Sequence, residues 1–399
     1  MPRVLRLKEC FSTVLFADKM TKKISLAGFL SFAVLLAVLP PGGFSAWTWQ
    51  AGIRWVYFFM LSFFASLAFV PVSCFIALKF KAIDKPDERR IHKGEIPRLG
   101  GLAVWAAFIA SFFRNTDFSL MILGIALSSS IVFFIGVYDD IKKASAYFRL
   151  FFQFLAASAA FFCGLKITFF YHMGFAGEII SYLITVFWLV GILNAFNFMD
   201  GIDGLAASMG LFCSVCFTVL GVLSGQMKLA LFSAALSGAC AGFLIYNWNP
   251  AKVFLGDCGS TFIGFSLGIM AIYATWAENA VLPSVAGPVL ILGIPIFDLI
   301  YTSVSRIKNG KVSNFKEWLE YAGKDHFHHR LLNLGFDVKK AVAFILTLNL
   351  MLGLQAVEIS VNDKNAETYI NLFQGFLLLI LVAFLMITAR NREIKGEQE

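Results

Sequence analysis

Of 399 residues, 59% are hydrophobic, 45 are Phe and only 15% are charged, whereas water-soluble domains run about 45–50% apolar and roughly 25% charged. So much apolar surface cannot be buried in one water-surrounded core, and lipid must be part of the solvent. The formal charge of +8 is dispersed among apolar runs, with no stripe of Lys, Arg and interleaved aromatics, which excludes a nucleic-acid partner.

Runs apolar enough to cross about 30 Å of hydrocarbon fall at 24–40, 55–80, 99–113, 119–138, 147–164, 179–196, 205–223, 229–246, 260–276, 281–304, 341–357 and 368–389. They lack the alternation of outer-membrane strands, so helices are expected. The predicted fold is all-α, a polytopic transmembrane bundle of about 11–12 spans. The 23 residues ahead of the first run are long for a signal peptide, so residues 1–54 read as a cytoplasmic segment plus an extra span, and 55–399 as the main transmembrane domain. The seven cysteines sit mostly inside apolar runs and behave there as small hydrophobes. Cys213 and Cys216 form a mid-span C-x-x-C that reads as packing rather than a zinc or redox site.

Charge orients the chain. With a cytoplasmic N-terminus, all but five of the 33 Lys and Arg fall inside, the exceptions being Arg54, Arg114, Lys166, Lys228 and Lys364. Both termini are therefore expected in the cytoplasm, with inner loops at 79–98, 139–147, 194–204, 247–260 and 305–340.

The same topology collects the unusual polar residues on that face. In chain order, a polar loop from Asp84 through Arg89, Arg90 and His92 reaches Pro97 and Gly100-Gly101. Asp139 and Asp140 then end a span, where a carboxylate opposes the helix dipole. Arg149 and Gln153 open the next, either as a site cation or as a membrane anchor. Asn194, Asn197, Asp200 and Asp203 crowd the stretch NAFNFMDGIDG, a site or an ordinary turn. Asp257 lies in FLGDCGS, where a glycine turn opening onto a helix presents N–H groups to an anion. Ser260 could cap that helix as well. Asp298 is placed in or near hydrocarbon, which is costly unless it is paired, Arg306 being the nearest candidate. Asp325, His326, His328, His329 and Arg330 complete the set. Three His without Cys poorly suit a closed zinc site, and phosphate or sugar contact is the stronger reading. Cys258, next to Asp257, is expected to be reachable from the cleft. The inventory is hard oxygen ligands suited to Mg²⁺, with Mn²⁺ as a substitute, among cations suited to phosphate. That combination serves phosphoryl transfer.

The motifs DKPDERRIHKGEIPRLGG, VYDDIKKASAYFRLFFQ, NAFNFMDGIDGLAAS, FLGDCGS, PIFDLIYTSVSR and DHFHHRLLNLGF together resemble the polyprenyl-phosphate N-acetylhexosamine-1-phosphate transferases, over about residues 55 to 390. The resemblance implies transfer of a sugar-1-phosphate from a UDP-N-acetylhexosamine to a polyprenyl phosphate, with release of UMP, at the cytoplasmic face of the inner (plasma) membrane. It implies Asp257 as the magnesium ligand together with Asp140, and Asp139 as a base toward the lipid phosphate. Asn197, Asp200 and Asp203 would contact nucleotide, and His328 and His329 the sugar and phosphates. Substrate contacts are likewise expected from His92, Arg149, Asn194, Arg306, Asp325, His326 and Arg330. The last motif resembles the UDP-GlcNAc branch rather than the phospho-MurNAc-pentapeptide branch, and a homodimer is compatible with the family. An ion-coupled transporter is the rival outside enzymes. It would hold its carboxylates near mid-membrane between repeats, and no such repeat stands out.

Overall fold

The computed structural model describes residues 26–33, 48, 51–84, 95–114, 119–274, 281–321, 323–361 and 365–396. About 81% of the described residues are helical, as expected of a bundle whose backbone polar groups must be satisfied within each span. The helices are α1 (Arg54–Phe80), α2 (Gly101–Phe112), α3 (Leu120–Lys142), α4 (Ala146–Phe162), α5 (Phe175–Met199), α6 (Leu205–Leu223), α7 (Met227–Asn247), α8 (Gly256–Tyr273), α9 (Val281–Ile291), α10 (Gly293–Lys308), α11 (Phe315–Glu320), α12 (Phe327–Asn333), α13 (Val338–Val361) and α14 (Asn365–Gly396).

Among the described residues, seven helices are long and apolar enough to cross a membrane: α1, α3, α5, α6, α7, α13 and α14. The pair α9–α10 makes an eighth if its 79° bend is counted within one span. The other expected spans are shorter. With 12 and 17 residues, α2 and α4 rise about 18 and 26 Å at 1.5 Å per residue, less than the hydrocarbon thickness. The first expected run is described only over 26–33.

Helix α8 is the centre of the bundle, with 15 of its 18 residues buried. Its neighbours shield it from lipid, which is why a Gly- and Ser-rich helix is tolerated there. Glycines allow the close approach: a Cβ on Gly136 of α3 would lie 2.4 Å from Cys258 Cα, and one on Gly101 of α2 would lie 2.3 Å from Gly259 Cα. On its other side, a Cβ on Gly264 would meet Leu193 Cα of α5 at 2.8 Å. Small residues do the same between α7 and α1, where a Cβ on Gly238 would lie 2.1 Å from Phe59 O. This is how apolar helices gain van der Waals contact when lipid offers no hydrophobic drive.

Two short strands, β1 (Ile83–Asp84) and β2 (Ile96–Pro97), pair antiparallel with Ile83 opposite Pro97. Beyond β2 the backbone is stitched to the entry of α8: Phe254 N–H donates to Pro97 O at 2.8 Å, Gly100 N–H to Phe254 O at 2.9 Å, and Gly101 N–H to Leu255 O at 2.8 Å. Arg98 is thereby held beside the start of α8.

Candidate active site

Segments remote in sequence meet at the N-terminus of α8. Asp257 accepts from Asn197 Nδ2 at 2.8 Å through Oδ1 and from Arg98 Nη2 at 3.3 Å through Oδ2. Asn197 Nδ2 also reaches Ser260 Oγ at 3.0 Å. Asp140 accepts from the backbone N–H of Asp257 and of Cys258, both at 3.0 Å, with Arg98 Nε at 3.3 Å. Its carboxylate therefore caps α8. That resolves the oddity of acid at the C-terminus of α3: the positive end of α8 compensates it. Gly256 makes the cap feasible. Its φ is +77°, and a Cβ there would lie 2.2 Å from Arg98 O and 2.7 Å from Asp140 Oδ2.

Asp139 points the other way. It accepts from Arg149 Nη1 at 2.8 Å and from Ala144 N–H at 2.7 Å. Arg149 is set on the first turn of α4, whose start is capped by Ser145 Oγ, the acceptor of the Phe148 N–H. A cavity of about 540 Å³ opens here. Asp139, Arg149, Gln153, Asn194, Asn197 and Asp257 line its polar end, and Val132, Ile135, Phe154, Phe187, Leu299, Ile300 and Val304 its apolar walls. Phe315, Trp318 and Leu319 of α11 border it, with Trp318 Nε1 anchored to Ser303 Oγ at 2.9 Å. Asn194 and Gln153 hold each other across the cavity wall, Asn194 Nδ2 donating to Gln153 Oε1 at 2.9 Å.

Arg98 feels Asp257, Asp140, Asp200 and Asp139 together, and against the cost of burial they hold its guanidinium more firmly protonated than usual. Its Nη1 is also 3.9 Å from Asp84. Asp200 keeps some contact with solvent yet lies deep among protein atoms. Burial first, then the neighbouring Asp257, push its carboxyl up to about 7. Asp203 is used differently: its Oδ2 accepts from Asn249 Nδ2 at 2.9 Å and Ala251 N–H at 3.0 Å, tying the α5–α6 turn to the α7–α8 loop.

The histidine motif forms a second cluster. Asp298 accepts from Phe327 N–H at 2.7 Å, and its other oxygen lies 2.7 Å from His326 Nδ1. Arg306 donates to both oxygens of Asp325, at 3.0 and 2.6 Å, and its Nη2 lies 3.0 Å from His326 Nε2. The Arg306 guanidinium also lies over the Tyr321 ring at 4.6 Å. Burial alone would raise the Asp325 carboxyl, but Arg306 holds it below the usual carboxylate range. Arg306 was the sequence-based partner for Asp298; the observed partner is His326. Asp298, Arg306, Asp325 and His326 are all buried and serve as a frame for α12.

On that frame, His328 is 1% exposed, and neither ring nitrogen has a hydrogen-bond partner among the described residues. Burial, then His329 and His326, hold it well below the usual histidine range. Burial, then His326 and Lys324, push His329 down to about 4. Both rings are therefore neutral at pH 7. The His328 ring rests on Gly201: a Cβ there would lie 2.1 Å from its Nε2. Gly201→Ala must displace that ring, and turnover should fall at least about tenfold from the overpacking, the protein still purifying as a single species. Unchanged turnover in a steady-state assay would show that the seat of His328 is immaterial.

The remaining candidates divide. Arg330 pairs with Glu393 of α14 and does not line the cavity. Asp140 is not among the cavity-lining residues either. Cys258 is fully buried, correcting the expectation that it is reachable: its Sγ packs under Gly101. His92 lies outside the described residues. Arg98 was passed over within a motif dense in charge, although its place between Pro97 and Gly100-Gly101, just where the polar loop enters a helix, marked it.

Known proteins are similar to this sequence. A model described as glycosyl transferase family 4 matches residues 122–275, from α3 to the end of α8. A probable undecaprenyl-phosphate N-acetylglucosaminyl 1-phosphate transferase of Bacillus subtilis (strain 168) is 31% identical over 355 residues, covering 87% of this chain and 94% of its own. An undecaprenyl-phosphate alpha-N-acetylglucosaminyl 1-phosphate transferase of Yersinia pestis is 33% identical over 296 residues (71% and 78%), and a decaprenyl-phosphate N-acetylglucosaminephosphotransferase of Mycobacterium leprae is 31% identical over 303 residues (68% and 75%). Identity of 31% over 87% of this chain and 94% of the Bacillus subtilis relative, together with the matching family model, means that the chain belongs to glycosyl transferase family 4.

Proposed function

We propose that the protein transfers N-acetylglucosamine-1-phosphate from UDP-GlcNAc to a polyprenyl phosphate, releasing UMP, as the membrane step that initiates a cell-surface glycan. The observation that carries the reading is the cavity whose polar end holds Asp139, Arg149, Asn197 and Asp257 while its walls are apolar. A phosphate on an isoprenoid tail has that division. The tail is as well solvated by lipid as by these walls, so the groove serves to align the phosphate rather than to supply affinity. The relatives' names, which specify undecaprenyl or decaprenyl phosphate and N-acetylglucosamine, support both substrates. The muramyl-pentapeptide alternative has no such support.

Among the described residues no three carboxylate, His or Cys side chains converge on one ion position, so a divalent cation here would rest on one or two carboxylates and on substrate oxygens. Asp139, Asp140, Asp200 and Asp257 surround Arg98, and among the described residues the other cation paired with them is Arg149, so these four carboxylates outnumber the two cations paired with them. Magnesium favours one or two carboxylates plus water and substrate phosphates. Asp257 would hold it, with water and substrate phosphate completing the shell and Asp140 fixing the helix that presents Asp257. When bound, the ion would neutralise the diphosphate and the charge spreading onto the departing UMP. Arg98 is placed to receive phosphate oxygens of the donor, and Arg149 those of the acceptor. Asp139, held by Arg149, would take a proton from the lipid phosphate, whose oxygen attacks in line. The bias of basic residues supports a cytoplasmic site and termini, with the protein in the plasma membrane.

The test is UMP release by purified protein across UDP-GlcNAc, UDP-GalNAc and UDP-MurNAc-pentapeptide, with and without polyprenyl phosphate and EDTA. UDP-GlcNAc should be turned over only with acceptor and metal. Full activity in EDTA would remove the metal from this scheme, and turnover of the muramyl donor alone would overturn the branch.

A further inference from the structure

We propose that the C-terminal end of α14 is a positioning element for the histidine helix, with Glu393 and Arg392 setting the aim of His328 and His329; the claim rests on the site reading above.

A helix of seven residues such as α12 has little stability of its own, so its direction is set by what grips its two ends. The frame of Asp298, Arg306 and Asp325 holds the N-terminal end through Phe327 N–H and His326. The C-terminal end is held from α14. One carboxylate oxygen of Glu393 takes Arg330 Nη1 and the other takes Asn333 Nδ2, side chains one turn apart on α12. Arg392 Nη1 donates to Leu334 O at 3.3 Å, the carbonyl of the C-cap residue of α12, where a cation also meets the negative end of the helix.

The Arg330 side chain is 7% exposed, so loss of Glu393 leaves a guanidinium nearly buried without its carboxylate, an arrangement that moves rather than persists. Any tilt of α12 carries His328 off Gly201. Neither Glu393 nor Arg392 lines the cavity, so neither is a catalytic residue. Elsewhere α14 turns large apolar side chains outward, among them Phe373, Phe376, Ile380 and Phe384. Its contact with α12 thus brings a helix otherwise committed to lipid into the catalytic assembly.

Glu393→Ala should lower kcat about 30-fold while the KM for polyprenyl phosphate stays within about twofold, because the acceptor groove is built without α14. Thermal stability should fall as well, because Arg330 is left nearly buried without its carboxylate. Glu393→Asp should recover part of the loss, and pairing Glu393→Arg with Arg330→Glu should recover more than either single reversal. Backbone hydrogen exchange over 327–334 reads the grip whatever the donor, and it should quicken in Glu393→Ala and not elsewhere. Unchanged exchange, or a wild-type kcat in Glu393→Ala, overturns the proposal. So does a fall of kcat and melting temperature together that the paired reversal fails to mend, which would mark an ordinary structural contact. A parent protein inactive on UDP-GlcNAc, with exchange still quickened in the variant, would strike the proposed donor and leave the positioning intact.

Discussion

Asp257→Asn is expected to lower UMP release about a thousandfold, corresponding to roughly 4 kcal/mol of lost transition-state stabilisation. The substitution keeps the shape of the side chain and leaves the amide able to meet Asn197, so the cap of Asp140 on α8 and the fold around it should survive. What disappears is the negative charge at the point where Asn197, Arg98 and the start of α8 converge. With that charge gone, Arg98 loses one of its two close carboxylates and the proposed divalent ion would lose its carboxylate ligand. Binding of the metal alone, followed by titration calorimetry, should weaken in parallel with activity. A variant that retained more than about a tenth of wild-type turnover would show that Asp257 is part of the scaffold rather than of the reaction.

Arg98→Ala should lower kcat/KM for the UDP-sugar about a hundredfold, the scale of losing one preorganised charged donor. Arg98 touches Asp257 and Asp140 and approaches Asp84, so it links the loop after β2 to both carboxylate segments while remaining partly exposed to a ligand. Arg98→Lys should restore only a fraction, since an ammonium cannot reproduce the fork that reaches Asp140 through Nε and Asp257 through Nη2. The polyprenyl phosphate KM should move little in either variant, because Arg98 is not among the groove-lining residues. Equal losses for donor and acceptor would instead indicate that Arg98 supports the fold of the whole site.

The amino-acid sequence alone determined the helical class and the membrane setting, and it marked the polar residues from which the candidate site is built. Each of these is a local property: apolar runs declare helices in lipid, and acid, amide and histidine residues at the ends of those runs stand out because lipid penalises them elsewhere. The family motifs likewise lie in short contiguous stretches. Which of those polar residues face a cavity and which hold the frame was decided by tertiary structure, since the decision depends on partners far away in the chain. Asp139 and Asp140 are neighbours in sequence, yet a 100° step around α3 sends one to Arg149 at the cavity and the other to the backbone of α8. Arg330 lies two residues from His328 but is turned to Glu393, 63 residues on. Arg98 gained its place only because the strand after Ile96 is stitched to residues 254 and 255. The packing of α8 was likewise settled in three dimensions: what allows it its glycines is the ring of helices packed around it.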